Sequence, residues 1–593
     1  MITLLKKMRR KEKLMALLCI ILVLGQVYFD LAMPDYMSDL TVMIQTPGSE
    51  QSEIWSVGGK MLGCALFSMA LAVISGYFAA QTAAGFSYAV REEIFDKVSS
   101  FGKQEMNGFS VPSLIVRTTN DVTQIQMLIA MGLQILIKAP VMAVWAVIKI
   151  VNKSWELSVL TACFVVFLLS VMIFTLIVLL PRFRKVQRQT DDINRIARED
   201  LNGIGVVHAF NAEEYQNRKF SQANDALTNT QLFNQRTFAA LMPLMSLGMS
   251  ALSLGIYWLG ASLIENIPVT DIMARIALSG DVVVFSTYAT FVVMSLMMIV
   301  MIFMMLPAAQ VSAVRINEIL KTEPAVKEGK REEGTEQGTL EFRNVSFQYP
   351  DSSHPVLKDI SFQAKRGETV AFIGATGSGK TTLVSLAARF FDATAGQVLL
   401  DGEDIREYSF KALYDRLGYV TQKAVLFSGS VEENVNFGES DAAVSDENTW
   451  EALSVSQAAE FVERMPEKLG EKIGIGGGNL SGGQKQRISI ARALARKPEI
   501  LIFDDSFSAL DYKTDARLRQ ALEDEFHDTT KLIVAQRIGT IKNADKIVVL
   551  DHGRAVGIGR HEELMENCPV YREIALSQLS ARELGDKEGK NAS

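Results

Sequence analysis

Cysteine, histidine and surplus positive charge are what this sequence has little of. Its four cysteines, Cys19, Cys64, Cys163 and Cys568, form no C-x-x-C pair, and its five histidines, His208, His354, His527, His552 and His561, are scattered. A disulfide framework and a zinc site are therefore both unsupported. Residues 331–593 carry 32 Lys and Arg against 42 Asp and Glu, while residues 1–330 carry 28 against 25. A nucleic-acid partner wants a basic surface, so none is expected. Only 21% of the 593 residues are charged and 48% are hydrophobic, which excludes a disordered chain. The length exceeds what one hydrophobic core serves, so at least two domains are expected. A mean hydropathy of +0.16 is high for a water-soluble enzyme and points to membrane segments.

A bilayer core is crossed by about 20 mostly apolar helical residues. Six stretches meet that requirement: 14–33, 61–83, 128–150, 157–180, 237–263 and 282–308. The first follows Lys6, Lys7, Arg9, Arg10, Lys11 and Lys13. It is too long for a signal peptide and no small-x-small cleavage site follows, so it reads as a retained anchor. Loop charge sets the orientation. The segment 34–58 holds Asp35, Asp39, Glu50 and Glu53 with no Lys or Arg, and 264–281 holds one Arg275 among three acids. Between spans 4 and 5, residues 181–236 carry nine basic side chains. The N-terminus, the two long connections and the second half are thus expected in the cytosol, and the chain in a plasma membrane, bacterial for want of an organelle presequence.

The connections 84–127 and 181–236 are too long for structureless loops. Both read as polar helix, as if the membrane helices continue into the cytosol and turn near Met106–Pro112 and Val206–Glu214. Residues 1–320 then form a membrane domain, 321–339 (KTEPAVKEGKREEGTEQGT) a charged linker, 340–578 a soluble α/β domain and 579–593 a disordered tail.

The soluble half carries a nucleotide signature. GATGSGKTT, Gly374 to Thr382, fits G-x-x-x-x-G-K-[ST] between an apolar strand, Thr369–Ile373, and a helix-like run, Thr381–Phe391. Its glycines let backbone N–H groups curl around phosphates, and Lys380 adds charge. Gly374, Thr376, Gly377, Ser378, Gly379, Lys380, Thr381 and Thr382 are the expected ATP-binding set, with Thr381 also on Mg²⁺. ILIFD, Ile500–Asp504, is a buried strand ending in a carboxylate, and Asp504 is the expected second Mg²⁺ partner.

LSGGQKQR, Leu480–Arg487, is the third marker. With it the chain resembles the ATP-binding-cassette superfamily, and with six preceding spans it looks like a type IV exporter half-transporter. The resemblance covers nearly the whole chain. It implies an all-α six-helix transmembrane domain with long cytosolic extensions, followed by an α/β P-loop nucleotide-binding domain. It also implies that Tyr349 stacks on adenine, that Gln422 reaches the Mg²⁺ shell from between the two domains, and that Ser508–Asp511 crosses a dimer interface. Ser481, Gly482, Gly483 and Gln484 sit at a helix N-terminus suited to an anion. By the resemblance they close over ATP held by a second half-transporter, not over their own chain's nucleotide.

Two departures from the family pattern bear on mechanism. Where the family has a catalytic glutamate, this sequence has Asp505, which withdraws the carboxylate by roughly 1.5 Å, one C–C bond length. Where it has a switch histidine, this sequence has Gln536, an amide that cannot become cationic. LSGGQ is intact. The expectation is a heterodimer in which this chain's own pocket is degenerate and its signature completes a partner's competent pocket. A homodimer of low turnover, or a regulatory ATP-binding subunit that does not pump, stays open. A third departure, EKIGIGG at Glu471–Gly477 in place of T-E-V-G-E-R-G, touches only the communication route.

The cargo is less legible. Met294, Met297, Met298, Met301, Met304 and Met305 mark span 6 and suit either a cavity for varied lipophilic molecules or ordinary packing. Lys138 lies inside span 3 and Asp30 near the outer end of span 1. Charges there are expensive, and either a cavity or an interfacial position accounts for them. A lipophilic drug-like substrate is expected, with peptide or lipid as the alternative.

Overall fold

A computed structural model of the protein describes residues 2–46, 49–151, 154–438 and 445–578, the side chains of 2, 176, 180, 184, 242, 303 and 304 apart. The segment 579–593, read above as a disordered tail, lies outside them. Two compact units are present: residues 1–99 with 111–322, and 100–110 with 323 onward.

The first unit is helical. Helices α1 (Arg10–Gln45), α2 (Gln51–Ser99), α4 (Val111–Val151), α5 (Trp155–Asn202), α7 (Glu213–Glu265) and α8 (Ile272–Lys321) are each long and apolar enough to cross a membrane. Each contains one expected span and runs well beyond it. Two short helices, α3 (Lys103–Gly108) and α6 (Ile204–Ala209), close the long connections. The first turn therefore comes a few residues earlier than the sequence suggests, and residues 100–110 pack with the second unit. Side chains buried along α2 recur three or four apart (Ser75, Ala79, Ala83, Phe86, Val90, Ile94), the period of one helical face. Many are small, as close packing between membrane helices demands. Prolines 34, 140, 181, 243 and 307 lie inside helices. Neighbouring helices in a membrane domain re-satisfy the backbone they free.

The two intramembrane charges find each other. Lys138 Nζ lies 2.9 Å from Asp30 Oδ2, and the Ser68 hydroxyl donates to the other oxygen of Asp30. Near the same end, Lys149 pairs with Asp35 at 2.5 Å, and the buried Tyr288 hydroxyl is 2.8 Å from Asp35 Oδ1. An apolar hollow of about 400 Å³ next to this region is lined by Pro140, Val141, Val144, Trp145 and Ile148, without Lys138. Of the span 6 methionines, Met294 and Met301 are exposed, and Met297, Met298 and Met305 are partly buried.

The second unit is α/β. An antiparallel sheet pairs β1 (Leu340–Phe347) between β2 (Leu357–Ala364) and β4 (Ala395–Leu400), with the short β5 (Glu403–Asp404) outside β4. A six-stranded sheet runs β10–β9–β3–β8–β7–β6, where β3 is Thr369–Gly374, β6 Leu417–Val420, β7 Ile500–Asp504, β8 Thr530–Val534, β9 Lys546–Asp551 and β10 Arg554–Gly559. All neighbours are parallel except β9 and β10. Alternate residues of one strand serve different cores: Val370 and Phe372 face the antiparallel sheet, Ala371 and Ile373 the helices on the other side. Of the segment 321–339, read as a linker, residues 323–339 belong to this unit. Gly329 N and Lys330 N donate to the backbone of Tyr408 and Glu407, and Thr335 N to Asp401 O.

Candidate functional site

Strand register assembles the site. In a parallel sheet the loops at the carboxyl ends of adjacent strands converge. Phe372 of β3 pairs with Val534 of β8, Asp504 of β7 pairs with Val534, and Val420 of β6 pairs with Phe503. Two residues further along each strand, the phosphate loop, Asp505, Gln422 and Gln536 arrive together. They line one cavity of about 340 Å³ with Val356, Thr376, Gly377, Gly379, Lys380, Thr381, Thr382 and Val534.

The phosphate loop opens helix α9 (Lys380–Ala387). Gly379 has φ 101°, and a Cβ there would sit 2.6 Å from Leu357 Cδ2, so only glycine fits. Lys380 Nζ folds back onto the loop, donating to Gly374 O (2.8 Å) and Ala375 O (2.9 Å). Burial pushes its ammonium down, opposed by Asp505 and Asp504. Ser378 Oγ is buried without a hydrogen-bond partner among the described residues. A polar atom orphaned in a loop of converging N–H groups fits a phosphate ligand.

Asp504, 3% exposed, accepts from the Thr381 hydroxyl on Oδ1 (2.9 Å) and from the Tyr419 hydroxyl on Oδ2 (3.3 Å). Burial raises its carboxyl above the usual range. No group of three or more His, Cys, Asp or Glu able to hold a metal occurs among the described residues. A hydroxyl beside one carboxylate is instead the hard-oxygen pair that suits Mg²⁺ arriving with nucleotide phosphates, which fill its other positions. Thr381 and Asp504 would hold that ion and Gln422 would offer it an amide oxygen; the metal would neutralise phosphate charge.

Asp505 is held through both its backbone and its side chain. Its backbone is left-handed, at φ 51°, and its N–H bonds to Val534 O at 3.1 Å. One carboxylate oxygen, Oδ2, accepts from Gln536 Nε2 at 2.7 Å and from Gln422 Nε2 at 3.3 Å. Burial is the largest influence on its carboxyl and raises it; the Gln422 bond works against that. The two residues at the base and switch positions are thus hydrogen-bonded to each other.

Of the expected residues, Tyr349, Gly374, Ser378, Asp504 and the Ser481–Gln484 set fall outside the cavity lining. Tyr349 touches it through its hydroxyl, 3.0 Å from Thr382 Oγ1, with its ring edge-on to Phe347 and Phe391. Ser481 caps helix α10 (Gly482–Ala495) reciprocally with Gln484: Ser481 N donates to Gln484 Oε1 at 2.8 Å and Gln484 N to Ser481 Oγ at 3.3 Å. Gly482 has open space where a Cβ would stand, and none of Ser481, Gly482, Gly483 or Gln484 lines the cavity of its own chain. Ser508, in the segment after β7, donates to Asp505 O at 2.9 Å. Tyr419 and Val356 were missed by sequence reasoning. A tyrosine on a buried strand needs a partner for its hydroxyl, which was the available signal for Tyr419.

Comparison with known proteins agrees with this architecture. Residues 357–508 match the ABC transporter family and residues 14–296 the ABC transporter transmembrane region. An ABC transporter ATP-binding protein of Mycobacterium tuberculosis is 38% identical over 540 residues, 90% of this chain and 91% of the relative. One of Bacillus subtilis is 35% identical over 534 residues, 89% and 90% of the two chains. An ATP-dependent lipid A-core flippase of Hahella chejuensis is 31% identical over 568 residues, 94% of each. A solved bacterial Atm1-family ABC exporter with ATP bound superposes with a TM-score of 0.79 at 22% identity, over 96% of this chain and 98% of that one. Matched in both halves and along almost its full length, this multi-pass membrane protein with an ATP-binding domain belongs to the ABC transporter family.

Proposed function

We propose that the chain is the degenerate-site half of a heterodimeric ATP-driven exporter, moving lipophilic or amphiphilic compounds out of the cell across the plasma membrane, with its nucleotide-binding domain in the cytosol. One observation carries this reading: the oxygen Oδ2 of Asp505 is held by Gln536 at 2.7 Å and by Gln422 at 3.3 Å. A general base must reach the attacking water within hydrogen-bond distance. This carboxylate is one methylene short, and two amides tie it back. Gln536, uncharged at any pH, cannot supply the cationic contact of a histidine. The pocket is therefore suited to gripping Mg·ATP and poorly suited to cleaving it, while the intact Ser481–Gln484 cap takes no part in its lining.

A second half-transporter is supported by what the chain leaves uncovered. The tip around α6 exposes Leu201, Val206, Phe210 (79%) and Tyr215, and Tyr512 beside the Ser508–Asp511 segment is 77% exposed. Large apolar side chains gathered on an exposed tip suit a contact site. The lipid A-core flippase relatives favour an amphiphilic cargo over a peptide. The test is to express the chain alone and together with candidate half-transporters. Stable assembly and transport-linked ATPase only with a different chain is the expected result. A stable homodimer with vigorous transport-linked ATPase overturns the reading.

A further inference from the structure

The hairpin tip joining α2 to α4 packs as part of the nucleotide-binding unit, and it brings a cation beside the Mg²⁺ carboxylate. Glu105, buried, fastens the tip twice: its Oε2 accepts from Gly102 N at 2.9 Å and its Oε1 from Ala325 N at 3.0 Å. Phe101 and Phe109 stack across the tip at 5.8 Å. So held, Lys103 places Nζ 4.3 Å from the Phe390 ring centroid, 5.7 Å from that of Tyr419 and 3.5 Å from Ser385 Oγ. Phe390 and Tyr419 are themselves edge-on, 4.9 Å apart. The Tyr419 hydroxyl then donates to Asp504 Oδ2.

A carboxylate that must present one oxygen to a metal is aimed by what holds the other. Thr381 faces Oδ1 and Tyr419 faces Oδ2. We propose that Tyr419 is a positioning residue for Asp504 and that Lys103, seated on the Phe390–Tyr419 pair, lets the hairpin tip set how firmly this site holds Mg²⁺. The proposal rests on Mg·ATP binding at this site, and not on whether the second half-transporter is a like or unlike chain.

The test uses the full-length assembled transporter in nanodiscs with saturating AMP-PNP, Mn²⁺ as the probe and free Mn²⁺ read by electron paramagnetic resonance. Tyr419→Phe, which keeps the ring and removes the donor, is expected to weaken Mn²⁺ binding about 10-fold, the lower range for loss of a metal-supporting hydrogen bond. Lys103→Met is expected to weaken it about 2- to 5-fold, and Lys103→Arg to restore it. AMP-PNP affinity in EDTA should stay within twofold for all three. An unchanged Mn²⁺ affinity in Tyr419→Phe overturns the proposal, as does an equal loss of nucleotide affinity in EDTA, which would mark a merely structural role. A shift in Tyr419→Phe without one in Lys103→Met overturns the part assigned to the hairpin. The heterodimer reading fails separately: a weakened affinity at every site rather than half of them indicates two like chains.

Discussion

Restoring both family residues should convert the chain's own pocket into a working one. Asp505→Glu adds one methylene, about 1.5 Å of reach, to a carboxylate now tied back at 2.7 and 3.3 Å. Gln536→His removes the shorter tie and supplies a ring that can carry charge. Neither change alone suffices. A longer carboxylate still bonded to Gln536 remains turned from the water, and a freed Asp505 remains short. The pair should therefore act non-additively, as groups in direct contact do. A well-placed general base contributes about 10²- to 10⁴-fold, so the double variant should raise turnover at this site by at least about 100-fold. The assay isolates the site by adding Ser481→Arg, which blocks the partner pocket that this chain's α10 cap would complete. In that background, phosphate release should be near zero with Asp505 and Gln536 and clearly measurable with Glu and His. If the double variant binds ATP as before and its turnover stays at background, the clamp at Asp505 is not what limits hydrolysis.

Two further outcomes follow from packing and charge. Lys138→Met strands Asp30 among membrane helices; it should lower the melting temperature of the transporter while leaving basal ATPase intact, and Asp30→Asn should restore most of the loss, because removing both members of an ion pair costs less than removing one. In the nucleotide-binding unit, burial raises the Asp401 carboxyl to about 6 from its ordinary 3.8. Between those values the folded chain holds a proton that the unfolded chain has lost, so stability falls as pH rises from about 4 to about 6. Asp401→Asn should flatten that slope in thermal melts recorded across the interval, and an unchanged slope would show that Asp401 is charged throughout.

The parts of this molecule that the sequence makes legible are those a strict physical demand writes into consecutive residues. A bilayer forces an apolar run, so six spans are readable, and phosphate binding forces Gly377, Gly379 and Lys380 into one loop. The cytosolic extensions are legible only from the length and polarity of the connections, and their turns only to within a few residues, because water no longer requires an apolar pattern. Thus α2 ends at Ser99 and α5 at Asn202, a few residues before the turns expected near Met106–Pro112 and Val206–Glu214. Residues 321–339 read as a linker for their charge, yet Gly329, Lys330, Thr335 and Glu336 bind along the sheet unit through backbone hydrogen bonds that composition does not record. The identities of Asp505 and Gln536 were visible, but not the bond between them. That follows from the register of β7 against β8, which pairs Asp504 with Val534. Lys138 and Asp30 are 108 positions apart, and Lys103 and Tyr419 over 300, so only the folded chain joins them.

The most direct measurement compares two single variants of this chain in the assembled transporter. Asp505→Asn touches only the chain's own pocket; Ser481→Arg touches only the pocket its α10 cap would complete. Steady-state phosphate release should persist within about threefold in Asp505→Asn and fall by about 100-fold or more in Ser481→Arg. An equal collapse in both would mean that Asp505 does cleave ATP, and the assignment of this half as the gripping, non-cutting one would be wrong.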